Sequence, residues 1–304
     1  MSVAVKPRVG FAGVGWIGRS RMEAVEELVE VGALCDPAVE GALREYDHLL
    51  DEELDGVVIA TPSALHAEQA VAALKRGLAV FCEKPLGRTA EETECAVAAA
   101  RDKDLLLGVD LSYRWAEAFR VVRDLVQEGE LGEVFAAELV FHNAYGPDKP
   151  WFYDPHLSGG GCLIDLGIHL VDLALWMLGR ERFNDVQGRV VGAPVEHYAE
   201  AQLDDVRIAC SWNLHAGRDC VIETRVHGTD GGALVRNVGG SFYDFRAERY
   251  RGRVTEVLAE PPDAWGGRAI TAWVERLAAG EGFDPEVERV VEVARTIDRV
   301  YVRT

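Results

Sequence analysis

The stretch Arg8–Ser20, RVGFAGVGWIGRS, decides the fold of the first part of the chain. A short apolar strand runs into Gly13, Gly15 and Gly18, and a segment with helical spacing follows. In this context the first glycine permits a tight turn, the second lets a pyrophosphate group approach the backbone, and the third allows the helix to pack closely on the strand. The start of the helix favours negative charge. The stretch therefore predicts a dinucleotide-binding turn.

A carboxylate at the end of the next predicted strand supports this interpretation. Asp36 follows Gly18 by 18 residues, close to the spacing of about 20 at which a dinucleotide-binding unit places its ribose-binding acid. Such a carboxylate accepts a hydrogen bond from the ribose 2′-hydroxyl and repels a 2′-phosphate. The next residue is Pro37 and not an arginine, so we expect NAD in preference to NADP. The alternative is a turn that binds no phosphate, followed by a chance aspartate.

The rhythm of apolar segments predicts the fold class. Uniformly apolar short strands alternate with helical segments over about the first 110 residues, which predicts a parallel sheet covered on both faces. Longer segments with partial alternation, separated by Gly and Asp turns, follow and predict an antiparallel sheet. We expect an α/β protein: an N-terminal Rossmann domain with a doubly wound parallel sheet over residues 1–112, and a C-terminal α+β domain with a large open, mostly antiparallel sheet over residues 113–304.

Composition excludes several classes of partner. The 304 residues carry a formal net charge of −19, so the chain lacks the basic surface that nucleic acids require. No window approaches the ~18 uninterrupted apolar residues of a membrane span, and no signal peptide is recognisable. The six cysteines show no C-x-x-C spacing and are interpreted as reduced thiols of a cytoplasmic protein. The broad face of the open sheet predicts a homodimer or homotetramer.

Two further segments carry ionisable residues where apolar ones would be expected. Lys84 ends an apolar strand in VFCEKPLG (residues 80–87), the edge of a parallel sheet at which ligands bind. The apolar helix predicted over residues 162–178 carries Asp165, His169 and Asp172 on one stripe. Buried groups of this kind need partners or a cavity. We interpret Asp172 as a packing residue and expect a cleft at Asp165 and His169, because the glycine run 159–161 before them would let a ligand approach. A D-x-x-x-H helix could also supply two metal ligands, but no third is apparent and no metal is predicted.

These residue types suit the oxidation of an alcohol. The hydroxyl group must lose a proton as hydride leaves carbon, and histidine accepts protons near neutral pH. An aspartate can orient the imidazole ring. A lysine cation stabilises developing negative charge on the substrate oxygen.

At this point the chain resembles a known family, the Gfo/Idh/MocA oxidoreductases of the glucose–fructose oxidoreductase and inositol 2-dehydrogenase type. The likeness covers nearly the whole chain. It rests on the glycine turn, ATPSALHAEQAVAALKRG (60–77), EKPLG (83–87), YRW (113–115) and SGGGCLIDLGIHLVDLALWMLG (158–179). The resemblance implies a small-molecule substrate that is a sugar, a cyclitol or a related compound. It implies that His169 is the general acid or base, Asp165 its partner and Lys84 an electrostatic anchor.

The resemblance also implies the binding residues. Contacts to the cofactor would come from Gly13, Gly15, Trp16, Ile17, Gly18, Asp36, Thr61, Pro62, Ser63, His66, Glu83 and Lys84. Substrate would be bordered by Lys84, Arg114, Trp115, His142, Asn143, Trp151, Tyr153, Asp165 and His169, although Trp151 could equally cover the core. Two other functions stay open: an NAD-assisted glycoside hydrolase or epimerase without net redox change, and a non-catalytic NAD-binding regulator.

Overall fold

Five parallel strands form the sheet of the first unit, in the order β2-β1-β3-β4-β5. The computed structural model describes residues 6–302. The elements of this unit are β1 (Arg8–Ala12), α1 (Trp16–Val25), β2 (Glu30–Cys35), α2 (Tyr46–Leu50), β3 (Gly56–Ile59), α3 (Ser63–Lys75), β4 (Ala79–Cys82), α4 (Ala90–Lys103), β5 (Leu107–Val109) and α8 (Arg268–Ala278). Strands β3 and β4 are buried along their whole length, as the apolar runs predict. The strand order reverses between β1 and β3, which is where such sheets bind ligands.

An eight-stranded sheet forms the second unit, in the order β13-β12-β11-β10-β6-β9-β8-β7. Every neighbouring pair is antiparallel except β6 and β9, which are parallel. Its elements are α5 (Glu117–Gln127), β6 (Val134–Asn143), α6 (Pro155–Ser158), α7 (Ile168–Met177), β7 (Val186–Val191), β8 (Tyr198–Leu203), β9 (Val206–Ser211), β10 (Cys220–Gly228), β11 (Gly232–Asn237), β12 (Phe245–Arg251) and β13 (Val254–Ala259). The predicted fold class is confirmed in both units.

The apolar helix predicted over 162–178 is the core of the second unit. A π-helical turn, Leu163–Gly167, leads directly into α7, and nearly every residue of both segments is buried. By length and composition alone, the helical stretch Pro155–Met177 could cross a membrane, but 89% of its most apolar window is buried inside the protein. Burial in a protein core explains this apolar composition without a membrane.

The chain passes between the units more than once. Among the described residues, the first unit contains 6–111 together with Gly267–Val291, and the second contains Ser112–Gly266 and 292–302. The final helix α9 (Arg289–Val300) accordingly gives Val291 to the core of the first unit and Val293 to that of the second. The sequence-based division at 112/113 placed all later residues in one domain, whereas the structure groups 267–291 with the parallel sheet.

Packing of Trp273 explains that difference. The indole ring of Trp273 in α8 is buried and lies 5.8 Å, between ring centroids, from Phe81 of β4. A Cβ atom at Gly56 or Gly108 would come within 2.9 Å of the same ring. Two strand glycines therefore make room for a tryptophan that is more than 160 positions away in the sequence. No local sequence pattern predicts this contact.

A buried charged cluster lies at the carboxyl ends of β4 and β5. Nε of Arg21 lies 2.8 Å from Oε1 of Glu83 and 2.5 Å from Oδ2 of Asp110, and all three side chains are buried. Burial, reinforced by the negative charge of Glu83, raises the pKa of Asp110 well above its usual range and outweighs the effect of Arg21. One cation thus holds two acids, and burial favours the protonated form of Asp110.

Replacing Trp273 tests the assignment of α8 to the first unit. We expect Trp273→Ala to lower the free energy of unfolding by about 3–5 kcal/mol, because a large buried side chain leaves a cavity. Trp16→Ala is the control, since Trp16 belongs to the same unit and is 74% exposed; it should cost less than about 0.5 kcal/mol. Urea denaturation of the full chain measures both, and equal effects would contradict the assignment.

The pH dependence of stability tests the charged cluster. Because the pKa of Asp110 is raised in the folded protein, the folded state holds more protons than the unfolded one once the pH exceeds the unfolded value of about 3.9. The contribution of Asp110 to stability therefore falls as the pH rises from there. Asp110→Asn removes this loss. The free energy of unfolding of the variant minus that of the wild type should therefore increase from pH 4 to pH 8.

Asp205→Asn provides a control of opposite sign for this measurement. A hydrogen bond from Arg180 lowers the pKa of Asp205, so that carboxylate stabilises the fold as the pH rises. The free energy of unfolding of Asp205→Asn minus that of the wild type should therefore not increase from pH 4 to pH 8. A pH-independent difference for Asp110→Asn would show that the acid is ionised in the folded protein.

Candidate functional site

Packing requires the first and third glycines of the turn between β1 and α1. Gly13 has a φ of +82°, and a Cβ atom there would lie 2.5 Å from the carbonyl oxygen of Ala60, which follows β3. A Cβ atom at Gly18 would lie 1.9 Å from the carbonyl oxygen of Gly13. No side chain fits at either position. The two glycines therefore fix the close approach of helix and strand that the sequence predicts.

The second glycine has a different environment. A Cβ atom at Gly15 would have nothing within 4 Å, so packing among the described residues does not explain its missing side chain. Gly15 is the N-cap of α1 and has no side chain to cap the helix, and the first turn contains no acidic residue. Trp16 and Ile17 begin the helix, Trp16 largely exposed. Open space beside uncapped N–H groups fits a pyrophosphate group.

Asp36 lies beside this turn. Its Oδ2 accepts a hydrogen bond from the backbone N–H of Val14 at 2.8 Å, and its Oδ1 accepts one from the N–H of Ala38 at 2.9 Å. A carboxylate oxygen has a second lone pair, so the side chain is held in place and can still accept a ribose hydroxyl group. The residues at this edge of the sheet therefore fit a dinucleotide.

His66 joins the loops that follow β3 and β4. Its buried ring lies with Nε2 2.6 Å from the carbonyl oxygen of Thr61 and Nδ1 2.7 Å from that of Pro85. The two carbonyl partners favour the protonated ring, but burial outweighs them and lowers the pKa of His66. Pro62 and Ser63 begin α3 from the same loop. His66 therefore holds the loop of Thr61 to the loop that carries Lys84.

Lys84 and Glu83 follow β4 but have different surroundings. The Lys84 side chain is half-buried, and the Lys84–Pro85 peptide bond is cis. The Glu83 side chain is buried in the charged cluster with Arg21 and Asp110. The structure thus engages Glu83 inside the first unit, whereas the resemblance implies a cofactor contact for it.

Asp165 and His169 lie in the second unit, on the helical segment that contains the π-helical turn. Asp165 lies inside that turn, where Ile168 N–H donates to the carbonyl oxygen of Leu163, and His169 lies in the first turn of α7. A π-helical turn widens the helix locally and is frequent at functional sites. A Cβ atom at Gly167 would lie 2.6 Å from the end of the Leu163 side chain, so a larger residue there would displace that side chain.

A buried glutamate holds the start of this segment. Glu196 accepts hydrogen bonds from the N–H groups of Gly161 and Leu163, both at 2.9 Å, and from the Tyr301 hydroxyl at 2.6 Å. A Cβ atom at Gly161 would lie 1.9 Å from the Glu196 carbonyl oxygen, and one at Gly160 would lie 2.2 Å from the Tyr301 hydroxyl oxygen. The missing side chains of Gly160 and Gly161 thus make room for parts of the chain itself, and the expectation that the glycine run lets a ligand approach stays a prediction.

His169 lies among aromatic rings, and Asp172 on the same helix forms an ion pair with Arg114. The ring of His169 is 4.9 Å from Tyr113 and 6.3 Å from Phe141, measured between ring centroids.

One turn further on, buried Asp172 accepts two hydrogen bonds from the guanidinium group of Arg114, which confirms its interpretation as a packing residue. This pair fixes the 3₁₀ turn Ser112–Trp115, which contains the half-buried Trp115. Arg114, expected to border substrate, is thus engaged with Asp172.

The loop after β6 contains Trp151, Phe152 and Tyr153 and is called the aromatic loop below. It contacts the ring of Trp212, which bonds to Asp165. The indole N–H of Trp212 donates to Oδ2 of Asp165 at 3.1 Å. Tyr153 and Phe152 contact the Trp212 ring at 5.7 Å and 6.4 Å, and Trp151 stacks on Phe152 at 3.8 Å, all measured between ring centroids. The structure therefore brings Tyr153, a predicted substrate residue, against the ring that bonds Asp165, while Trp151 stacks on Phe152.

His142 and Asn143 end β6 on opposite faces of the sheet. Phe141 faces the helix of His169, so by alternation His142 faces the other way. Its Nδ1 lies 2.8 Å from the Ser211 hydroxyl oxygen, and burial lowers the pKa of His142. Asn143 shares the face of Phe141, and its Oδ1 is buried with no hydrogen-bond partner within residues 6–302. The structure separates His142 from Asp165 and keeps Asn143 on the same face as His169.

Sequence reasoning missed four residues that hold candidate residues in place: Arg21 and Asp110 in the first unit, and Glu196 and Trp212 in the second. Each bonds to a partner at least 35 positions away. The only available signal was the occurrence of charged or indole groups next to buried segments, which does not identify the partner. Their role could be assigned only from the folded chain.

Known proteins share both halves of this architecture. Residues 7–111 match the model of an oxidoreductase family with an NAD-binding Rossmann fold, and residues 119–234 match the GFO/IDH/MocA C-terminal domain. The chain is similar to 1,5-anhydro-D-fructose reductase of Ensifer adhaerens, with 30% identity over 78% of this chain and 67% of that protein. It is also 32% identical to the rhizopine catabolism protein MocA of Rhizobium meliloti over 58% of this chain and 59% of that protein.

A solved structure with the same fold supports the match. A 3-ketoreductase from Actinomadura kijaniata in complex with NADP and TDP-benzene superposes with a TM-score of 0.86 over 98% of this chain and 97% of that one, at 22% identity. At this identity the likeness concerns the fold alone. The sequence matches and the two sheets together confirm the resemblance: the chain belongs to the Gfo/Idh/MocA family of NAD-binding oxidoreductases.

Proposed function

We propose that the protein transfers hydride between NAD and a hydroxyl or keto carbon of a sugar, a cyclitol or a related small molecule. One observation carries the proposal: a buried helix places an imidazole and a carboxylate, His169 and Asp165, in a chain whose first unit has the glycine turn of an NAD-binding family. Relatives named as sugar reductases support the substrate class.

The side chains have distinct proposed roles. The nicotinamide ring, when bound, accepts or supplies the hydride. His169 takes the proton from the substrate hydroxyl group in oxidation and returns it in reduction, because imidazole exchanges protons near neutral pH. Asp165 orients the imidazole or a substrate hydroxyl group. Lys84 stabilises negative charge that develops on the substrate oxygen.

The aromatic loop supplies the substrate-binding surface in this proposal. Trp151 and Tyr153 are aromatic residues of the kind that stack on sugars, and Asn143 offers a buried acceptor for a hydroxyl group. Trp115 borders the substrate, while Arg114 acts through its ion pair with Asp172. His142 is left out of the proposed site, because it faces away from His169.

NAD is the proposed cofactor in preference to NADP. The support is electrostatic: Asp36 is fixed beside the glycine turn, where its carboxylate would repel a 2′-phosphate, and Pro37 offers that phosphate no cation. Titration with both reduced cofactors tests this preference, and tighter binding of NADPH would contradict it.

We also propose that the protein is a cytoplasmic homodimer or homotetramer. Six free cysteines suit a reducing compartment. The outer face of the eight-stranded sheet exposes Phe135, and the edge strand β13 exposes Val254, apolar groups that a second copy would cover. Light scattering after size-exclusion chromatography would show a monomer if this proposal is wrong.

Turnover on a panel of polyols and sugars tests the activity. We expect formation of NADH from NAD with at least one member, and His169→Asn should lower kcat by about 10²–10⁴-fold, the usual contribution of a general base. His48→Asn, which replaces an exposed histidine of the first unit, should change kcat less than about twofold. Cofactor that stays bound without net turnover would favour the hydrolase or epimerase, and activity unaffected by loss of His169 would contradict the mechanism.

The open position at Gly15 tests the cofactor site. Gly15→Ala should leave the melting temperature of the cofactor-free protein unchanged, because its Cβ meets no atom within 4 Å. It should weaken NADH binding by about tenfold or more, since the methyl group takes the space of the pyrophosphate. Gly266→Ala is the matched control, because its Cβ also has open space. NADH binding equal in both variants would place the pyrophosphate elsewhere.

A further inference from the structure

We propose that Trp212 is a positioning residue whose indole N–H holds the carboxylate of Asp165 in its reactive orientation. The inference rests on the function proposed above, in which Asp165 orients the imidazole or a substrate hydroxyl group. Trp212 follows β9 and is 2% exposed, and its Nε1 lies 3.1 Å from Oδ2 of Asp165.

The Trp212 ring is fixed from two sides. Its backbone N–H donates to the carbonyl oxygen of His197 at 2.8 Å, which anchors the main chain at the end of β9. The rings of Phe152 and Tyr153 contact the indole at interplanar angles of 86° and 62°. A buried ring held in this way cannot rotate freely, so the direction of its N–H is set before any ligand binds.

Asp165 is fixed independently from the other direction. The helical segment that carries it begins at the hydrogen bonds from Gly161 and Leu163 to Glu196. The backbone of Asp165 is therefore placed by Glu196, and one of its carboxylate oxygens is placed by Trp212. Two separate anchors leave little freedom in the side-chain torsions of Asp165.

The chemistry of indole suits this task. Indole has one donor, accepts no hydrogen bond and does not titrate, so it holds a carboxylate without exchanging a proton with it. A hydrogen bond to an ionised group is also stronger than one between neutral groups. The alternative is that Trp212 only fills the core, in which case its N–H would have no effect on turnover.

Two tryptophan variants separate these alternatives. Trp212→Phe removes the N–H and keeps an aromatic ring, and we expect kcat to fall roughly 10- to 100-fold, with KM within about threefold of wild type. Trp265→Phe is the matched control in the same unit: Trp265 is also buried, and its indole N–H donates to the carbonyl oxygen of Tyr243 at 2.8 Å. Trp265→Phe should change kcat less than about threefold.

A second measurement needs neither turnover nor a substitution at Trp212. In the cofactor-free protein labelled with ¹⁵N-tryptophan, Asp165→Ala should shift the indole N–H resonance of Trp212 and leave that of Trp265 in place. An unmoved Trp212 resonance would overturn the inference, even if Trp212→Phe fails to fold. So would a kcat of Trp212→Phe equal to that of Trp265→Phe. Wild-type protein silent across the whole panel, with the resonance shifted, would refute the proposed function and leave the contact between Trp212 and Asp165 standing.

Discussion

The second unit depends on one buried carboxylate. Glu196 accepts hydrogen bonds from the N–H groups of Gly161 and Leu163, and its backbone carbonyl accepts one from Cys162. The helical segment that follows is almost entirely apolar, so it needs this polar anchor to begin at a defined residue. The hydroxyl of Tyr301 adds a further donor from the end of the chain. The positions of Asp165 and His169 follow from where that segment starts.

The first unit uses the same principle at the edge of its sheet. Arg21 holds the buried acids Glu83 and Asp110, while His66 bridges the carbonyl oxygens of Thr61 and Pro85. Loops at the ends of parallel strands are mobile unless contacts hold them, and each buried polar group in them needs a partner. In this unit, too, buried side chains hold the loops that carry the candidate residues.

Much of the fold and part of the site were predictable from the sequence. The glycine turn, the strand–helix alternation and the apolar helix with Asp165 and His169 depend on spacing within short stretches, and the structure contains all of them. The glycine run 159–161 was recognised, but the neighbours of Gly160 and Gly161 were not, because Tyr301 and Glu196 lie far along the chain. The orientation of His142 depended on strand register, where a shift of one residue reverses the face.

The sequence by itself determined where strands, turns and helices occur, because local spacing limits which backbone conformations and which buried faces are possible. Only the tertiary structure decided which distant groups meet: Trp212 with Asp165, Arg114 with Asp172, and Trp273 with the parallel sheet. A buried donor or a large ring needs a partner of matching shape and polarity, and any of several residues in a sequence could supply one. Folding selects the partner, because the same strands and helices must bury all of these groups at once.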